Sequence, residues 1–237
     1  MTTTAATVAT RLEVVREHIA AACERAGRDP GEITIVGVTK THPVDAVEEA
    51  LAAGQADLGE NRAQELVPKA EEAADMGLAP RWHFIGGLQR NKVRQVLPHI
   101  AVLHSLDSLR LAAEIEKRAE QGRSPDPDVP LPCYLEVNVG GEASKQGVVA
   151  TEVGELLRGV ADMRHVDVIG LMTVAPQVDD PEQVRPVFRE LRELARAHGL
   201  DGLSMGMTED YEVAIEEGAT VLRLGRVIFG PRRSLEG

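Results

Sequence analysis

The chain has 237 residues, 43% of them hydrophobic and 27% charged, with a formal net charge of −12. That length suits one large core or two small ones, and a single α/β barrel typically occupies about 250 residues. The negative balance argues against nonspecific binding to nucleic acid or an anionic membrane, since both need a basic surface.

The N-terminal stretch, MTTTAATVATRLEVV, has no cationic segment followed by a long apolar run, so no signal peptide is expected. No stretch approaches the roughly 18 apolar residues of a membrane span. The only two cysteines, Cys23 and Cys133, sit in apolar settings without CxxC spacing and read as buried thiols of a reducing compartment. A cytoplasmic protein follows from these points. The first element is a helix, with Val8, Leu12, Val15, Ile19 and Ala22 at helical spacing and Gly27 as its stop.

Short apolar runs then alternate with amphipathic stretches. Strands are expected in ITIVGVT, ADLGE, RWHFIG, AVLHSL, LPCYLEVNV, VDVIGLMTV, GLSMG and TVLRLG. Between them lie helical patterns over residues 44–54, 62–77, 90–98, 109–122, 151–163, 182–199 and 209–218. Strict βα alternation implies parallel strands with helices on the faces. Eight strands make a single (β/α)₈ TIM barrel over residues 1–237, with an extra N-terminal helix and little after strand eight. A doubly wound open sheet is the alternative, but no GxGxxG follows the first strand. The proline- and aspartate-rich run at 123–132 is a linker candidate, read as a long surface loop because the alternation continues across it.

In a parallel barrel the active site lies at the carboxyl ends of the strands. Those ends carry Thr39 and Lys40, then Gly59 to Arg62, then His83, Gly86, Gln89 and Asn91. They continue with Asn138, Met172 and Thr173, Ser204 to Met207, and Arg223, Gly225 and Arg226. Lys40 ends an apolar strand where burial penalises its charge, so it is either a solvated strand end or a nucleophile. Loops after strands seven and eight commonly cradle a phosphate with backbone N–H groups. A lysine facing such a cradle is the layout expected for pyridoxal phosphate (PLP), whose aldehyde forms an imine with the amine.

The blocks VGVTKTHP, LGENRAQEL, WHFIGGLQRNKVRQV, VNVGGEASKQGV, GLMTVAP and LSMGMTEDYEVAIEEGATVLRLGRVIFG resemble the pyridoxal phosphate homeostasis proteins. That family is similar to the barrel domain of alanine racemase standing alone, and the likeness runs from about residue 33 to residue 230. The resemblance implies that Lys40 carries PLP as a covalent imine. It also implies that Ser204 and Met205, with Gly225 and Arg226, contact the phosphate through hydroxyl and backbone groups. Arg223 would approach the pyridine nitrogen, and Asn61, His83 and Met172 would line the pocket. Two residues depart from the family pattern. Arg226 stands where a small hydroxylic residue is usual, so its guanidinium either replaces that hydroxyl or points to solvent. Thr39 stands where serine is common.

Blander roles stand beside these. Arg223 could pair a buried carboxylate, Ser204 could cap the following helix, although Thr208 is the better cap, and the methionines could be core filler. GGEASKQG reads as a rim loop and its Lys145 as a solvated or second-site lysine, because the GK[ST] order of a phosphate loop is missing. The histidines lack metal-ligand spacing, so no metal is expected. An always-cationic arginine at the ring nitrogen leaves that nitrogen unprotonated and disfavours quinonoid-forming chemistry.

The expected role is intracellular PLP homeostasis by storage and delivery to apo-PLP enzymes, by a monomer without substantial turnover. The alternative is a PLP-dependent amino-acid racemase, which needs acid/base groups on both faces of the substrate. In alanine racemase the second group is a tyrosine from a partner subunit's additional domain, as the resemblance implies. Here only Tyr134 and Tyr211 exist and the chain ends at Gly237, so that domain is not expected. A phosphate-sugar barrel without PLP would leave Lys40 and Arg223 without a joint purpose.

Overall fold

The computed structural model describes residues 6–122, 129–140 and 146–231. Lys145 and much of the proline-rich run lie outside them. The N-terminal helix α1 (Val8–Ala26) is capped by Thr7, whose Oγ1 accepts from the Thr10 N–H, and Gly27 closes it in the left-handed region at φ 65°. The strands are β1 (Thr34–Val38), β2 (Asp57–Glu60), β3 (Arg81–Phe84), β4 (Val102–Leu106), β5 (Leu131–Glu136), β6 (Val166–Met172), β7 (Gly202–Ser204) and β8 (Val221–Leu224). They form a closed parallel barrel in chain order, sealed where Thr34 to Gly37 pair with Val221 to Leu224.

Between the strands run α2 (Asp45–Ala52), α3 (Ala63–Asp75), α4 (Val93–Val96), α5 (Leu109–Ala119), α6 (Val153–Val160), α7 (Arg185–Ala197) and α8 (Tyr211–Glu216). Among the described residues no helix is long and apolar enough to cross a membrane. The sheet's two-residue period sorts the strand side chains into two cores. Leu58, Phe84, Leu103, Leu135, Leu171, Leu203 and Leu222 pack outward beneath the helices. Val36, Val102, Tyr134, Met172 and Val221 form a smaller apolar cluster within the lumen.

Three local features differ from the sequence reading. The helix expected over 90–98 is a 3₁₀ turn (Arg90–Lys92), the single turn α4 and a second 3₁₀ turn (Leu97–His99), because Pro98 offers no N–H to continue it. A further turn, α9 (Arg226–Phe229), follows β8. Thr208 does not cap α8; the Met207 N–H donates to Asp210 Oδ1 at 2.6 Å, and this carboxylate-held turn delays the helix to Tyr211.

The barrel wall is tightest where β6 meets β7. Gly170 pairs with Gly202, and a Cβ added at Gly170 would overlap the Gly202 backbone, which cannot swing aside as a side chain can. Gly170→Ala should therefore destabilise the protein by about 3 kcal/mol or more, read as a lower urea midpoint.

Candidate functional site

Lys40 is half-buried in the turn that follows β1. The two peptide groups that flank it are both held from below by side chains of α3. The Thr39 carbonyl accepts from Lys69 Nζ at 2.9 Å, and the Thr41 N–H donates to Glu65 Oε2 at 2.9 Å. Lys69 also pairs with Glu60 Oε1, which accepts from Thr39 Oγ1 at 2.7 Å. Burial pushes the Glu60 carboxyl upward, while Lys69 and Thr39 oppose the shift.

Thr41 has a φ of 66°, a strained conformation for a β-branched residue, at a cost of about 1–3 kcal/mol. It persists because the clamp on either side of Lys40 over-determines the turn. Two acceptors lie next to it in the chain or at the adjoining strand end. Thr41 Oγ1 and Asn61 Oδ1 are buried, and among the described residues neither has a hydrogen-bond partner. Buried polar atoms left this way are rare in folded proteins and point to a missing ligand.

Arg223 on β8 is 5% exposed. Its Nη1 donates to Ser204 Oγ at 2.7 Å and its Nη2 to the Thr173 carbonyl at 2.9 Å. No ion pair within 4 Å joins it to a carboxylate among the described residues. Burial lowers its pKa to about 10, and Asp210 and Glu136 oppose that shift from a distance, so it stays cationic at neutral pH. Glu136, at the carboxyl end of β5, is pushed up to about 7 by burial and by Asp107, against the pull of Arg223. Burial also raises Asp210.

The other expected site residues fall into distinct places. Ser204 is fully buried in the lumen, where its hydroxyl meets both Arg223 and His104 Nδ1 at 2.8 Å. Met205 lies in the outer core and its N–H donates to the Val221 carbonyl at 3.1 Å. Met172 is in the lumen cluster. His83 is deep in the barrel, 2.9 Å from His104 Nε2 and 2.8 Å from Asp57 Oδ1. Gly225 heads α9, where the N–H groups of Arg226 and Val227 have no intrahelical acceptor. The Arg226 guanidinium turns to solvent and pairs with Glu209 at 2.7 Å, both side chains being mostly exposed.

Sequence reasoning placed Glu60 at a strand end without a role and did not single out Glu65, Lys69, Asp57, His104, Glu136 or Asp210. A signal existed for His104 and Glu136, since each is a polar residue inside an otherwise apolar strand.

Comparison with known proteins gives a consistent picture. Residues 11–233 match the family "Alanine racemase, N-terminal domain". A pyridoxal phosphate homeostasis protein of Aquifex aeolicus is 44% identical over 94% of this chain and 97% of its own. The Escherichia coli protein of the same name is 39% identical over 95% and 97%. Among solved structures, Synechococcus elongatus PipY with PLP bound superposes with a TM-score of 0.79 at 31% identity, covering 94% of this chain and all (100%) of PipY. D-threonine aldolase from Filomicrobium marinum shares the fold with a TM-score of 0.65 at 15% identity, covering 92% of this chain and 61% of the aldolase.

The environment of Glu136 predicts a pH signature in the ligand-free protein. Its folded pKa is raised from 4.5 to about 7, so the folded state keeps a proton that the unfolded chain releases in that window. Its contribution is intact below pH 4.5 and is lost as pH rises through 7, by about 3 kcal/mol in all. Glu136→Gln should match wild type in urea unfolding near pH 4 and exceed it at pH 8.

Proposed function

Because the chain belongs to the alanine racemase N-terminal-domain family and, within it, to the pyridoxal phosphate homeostasis proteins, we propose that it binds PLP covalently at Lys40 and stores and delivers it. Delivery is to apo-PLP enzymes of the cytoplasm, a setting that the two free cysteines support. Action as a monomer is part of this proposal. The observation that carries the reading is the clamped turn: an amine whose two flanking peptides are fixed and whose neighbour Thr41 is strained.

The residues present fit the cofactor. When bound, PLP supplies an aldehyde that condenses with an amine and a ring that withdraws electrons. Lys40 provides the amine, and α3 fixes its backbone so that little ordering is left for the moment of binding. Asn61, with its orphaned carbonyl oxygen, provides a polar contact at the adjoining strand end. The turn at Gly225 to Val227 offers backbone N–H groups to the phosphate. The Ser204 hydroxyl and the Met205 N–H are committed inside the barrel, so their part is to hold Arg223 and the end of β7 in place. Arg223 presents a cation toward the ring, where a carboxylate would instead favour ring protonation.

The absence of turnover is supported by the two tyrosines. Tyr134 stacks on His104 in the lumen, with ring centroids 4.7 Å apart, and the Tyr211 hydroxyl lies 3.0 Å from His18 Nδ1 on α1. Each is committed away from Lys40. One observation favours the racemase reading: Glu136, titrating near 7, ends the strand diametrically opposite β1 and has the pKa of a useful acid/base.

Purified protein given PLP should develop the absorption band of a lysine-bound aldehyde, and Lys40→Ala should lack it. Borohydride reduction and peptide mass mapping should place the adduct on Lys40; a wild-type protein that ignores PLP overturns the proposal. Arg226→Ser should change PLP affinity by less than about twofold, as loss of an exposed ion pair does. Incubation with L-alanine and other amino acids should yield no D-isomer by chiral chromatography. Sustained racemisation that is abolished by Glu136→Gln would establish the enzyme instead.

A further inference from the structure

Arg223 is a buried cation without a direct carboxylate partner among the described residues, a costly arrangement unless its charge is answered in some other way. Asp210 and Glu136 act on it from a distance, and its hydrogen bonds lead to a carboxylate four side chains away. Arg223 Nη1 meets Ser204 Oγ at 2.7 Å, Ser204 Oγ meets His104 Nδ1 at 2.8 Å, and His104 Nε2 meets His83 Nδ1 at 2.9 Å. His83 Nε2 meets Asp57 Oδ1 at 2.8 Å. This file rises from β2 through β3 and β4, crosses the lumen to β7 and ends on β8. Asp57 stands at the opening residue of β2, the barrel end opposite the mouth, where Arg81 also pairs with it at 3.2 Å.

The proton positions along this file follow from its two ends. Hydrogen bonding to His83 holds the Asp57 carboxyl below its ordinary pKa, so it is ionised and can only accept. His83 Nε2 must then carry a proton. Burial lowers the pKa of His83 and, more strongly, of His104, so both rings are neutral and each has one N–H. With Nε2 protonated, His83 Nδ1 is an acceptor, and the His104 proton must sit on Nε2. His104 Nδ1 is left to accept from the Ser204 hydroxyl, which in turn accepts from Arg223. Every bond points the same way, from the guanidinium to the carboxylate, and no donor or acceptor in the file is unmatched. Aligned bonds of this kind polarise one another in a dry interior. Tyr134, stacked on His104, and the apolar lumen cluster enclose it.

We propose that Asp57, His83 and His104 are positioning residues for Arg223, and that Ser204 is the link through which they act on the PLP site. The relay fixes the guanidinium's rotamer through hydrogen bonds that end on the ionised Asp57. No proton is transferred along it. The proposal rests on the PLP reading only for its effect on ligand binding; the proton order belongs to the ligand-free protein.

The test has two independent arms. In ¹⁵N-histidine NMR of ligand-free protein, with resonances assigned through His83→Asn and His104→Asn, both rings should be neutral Nε2–H tautomers at pH 7 to 8. Asp57→Ala should release this tautomer order, and Asp57→Asn, whose amide oxygen still accepts from His83, should keep it. With PLP added, Asp57→Ala should weaken binding about tenfold, the scale on which an outer hydrogen-bond partner acts, and shift the ¹⁵N resonance of labelled pyridine nitrogen. Asp57→Asn should stay within about threefold of wild type. Ser204→Ala, which removes one oxygen, serves where Asp57→Ala does not fold and should produce the same pyridine shift. Histidines that titrate near 6.5, an Nδ1–H tautomer in either ring, or an unmoved pyridine resonance in both Asp57→Ala and Ser204→Ala would overturn the relay. If wild-type protein binds no PLP, the functional reading fails while the tautomer result still decides the relay.

Discussion

A guanidinium held in the lumen of a closed barrel, away from water, is the constraint on which the site depends. Water would ordinarily solvate such a cation, and its removal is repaid only by well-placed hydrogen bonds. Arg223 obtains them from Ser204 and from the Thr173 carbonyl, both contributed by the far ends of neighbouring strands. Those two contacts need β6, β7 and β8 in the register the sheet gives them, with Met172 opposite Ser204 and Ser204 opposite Val221. The close Gly170–Gly202 approach sets that register on the β6 side. A clash in the barrel wall therefore reaches the site through geometry, without touching any group at the mouth.

Lys40 is held by a different device. Its fixation comes from outside the barrel, where Glu65 and Lys69 of α3 grip the peptide groups before and after it. Glu60 completes the arrangement by engaging both Lys69 and Thr39 from an outward-facing strand position. Lys40 is gripped through its backbone and Arg223 through its side chain. The guanidinium has one orientation, set by Ser204 and the Thr173 carbonyl. The proposed storage role would need such a preformed cradle around a link that forms and breaks.

The architecture was legible because parallel strands buried on both faces write short apolar runs, and helices between them write a different period. Lys40 was legible as an exception to its strand. The relay was not, for a physical reason. His83 and His104 each read as an isolated polar residue in a strand, and Ser204 pairs with His104 across 100 positions. Only barrel closure brings β4 and β7 face to face. The clamp was hidden differently: Glu65 and Lys69 look like an ordinary charged helix face, yet Lys69 is 8% exposed. Thr208 failed as a cap because the Asp210 and Tyr211 N–H groups it would receive donate to the Met207 carbonyl instead.

The charge arrangement bears on the proposal that this chain stores PLP without turning it over. A carboxylate near the pyridine nitrogen would favour its protonation and make the ring a stronger electron sink. In the proposed arrangement the nearest ring-side charge would be positive, and the carboxylate at the end of its hydrogen-bond file, Asp57, lies at the opposite end of the barrel beyond two neutral imidazoles. Glu136, a closer acid, has its pKa pushed up to about 7, which weakens its negative field at neutral pH. In the proposed arrangement the relay would orient Arg223 without placing an anion beside the ring, so the same bonds that organise binding would work against carbanion chemistry.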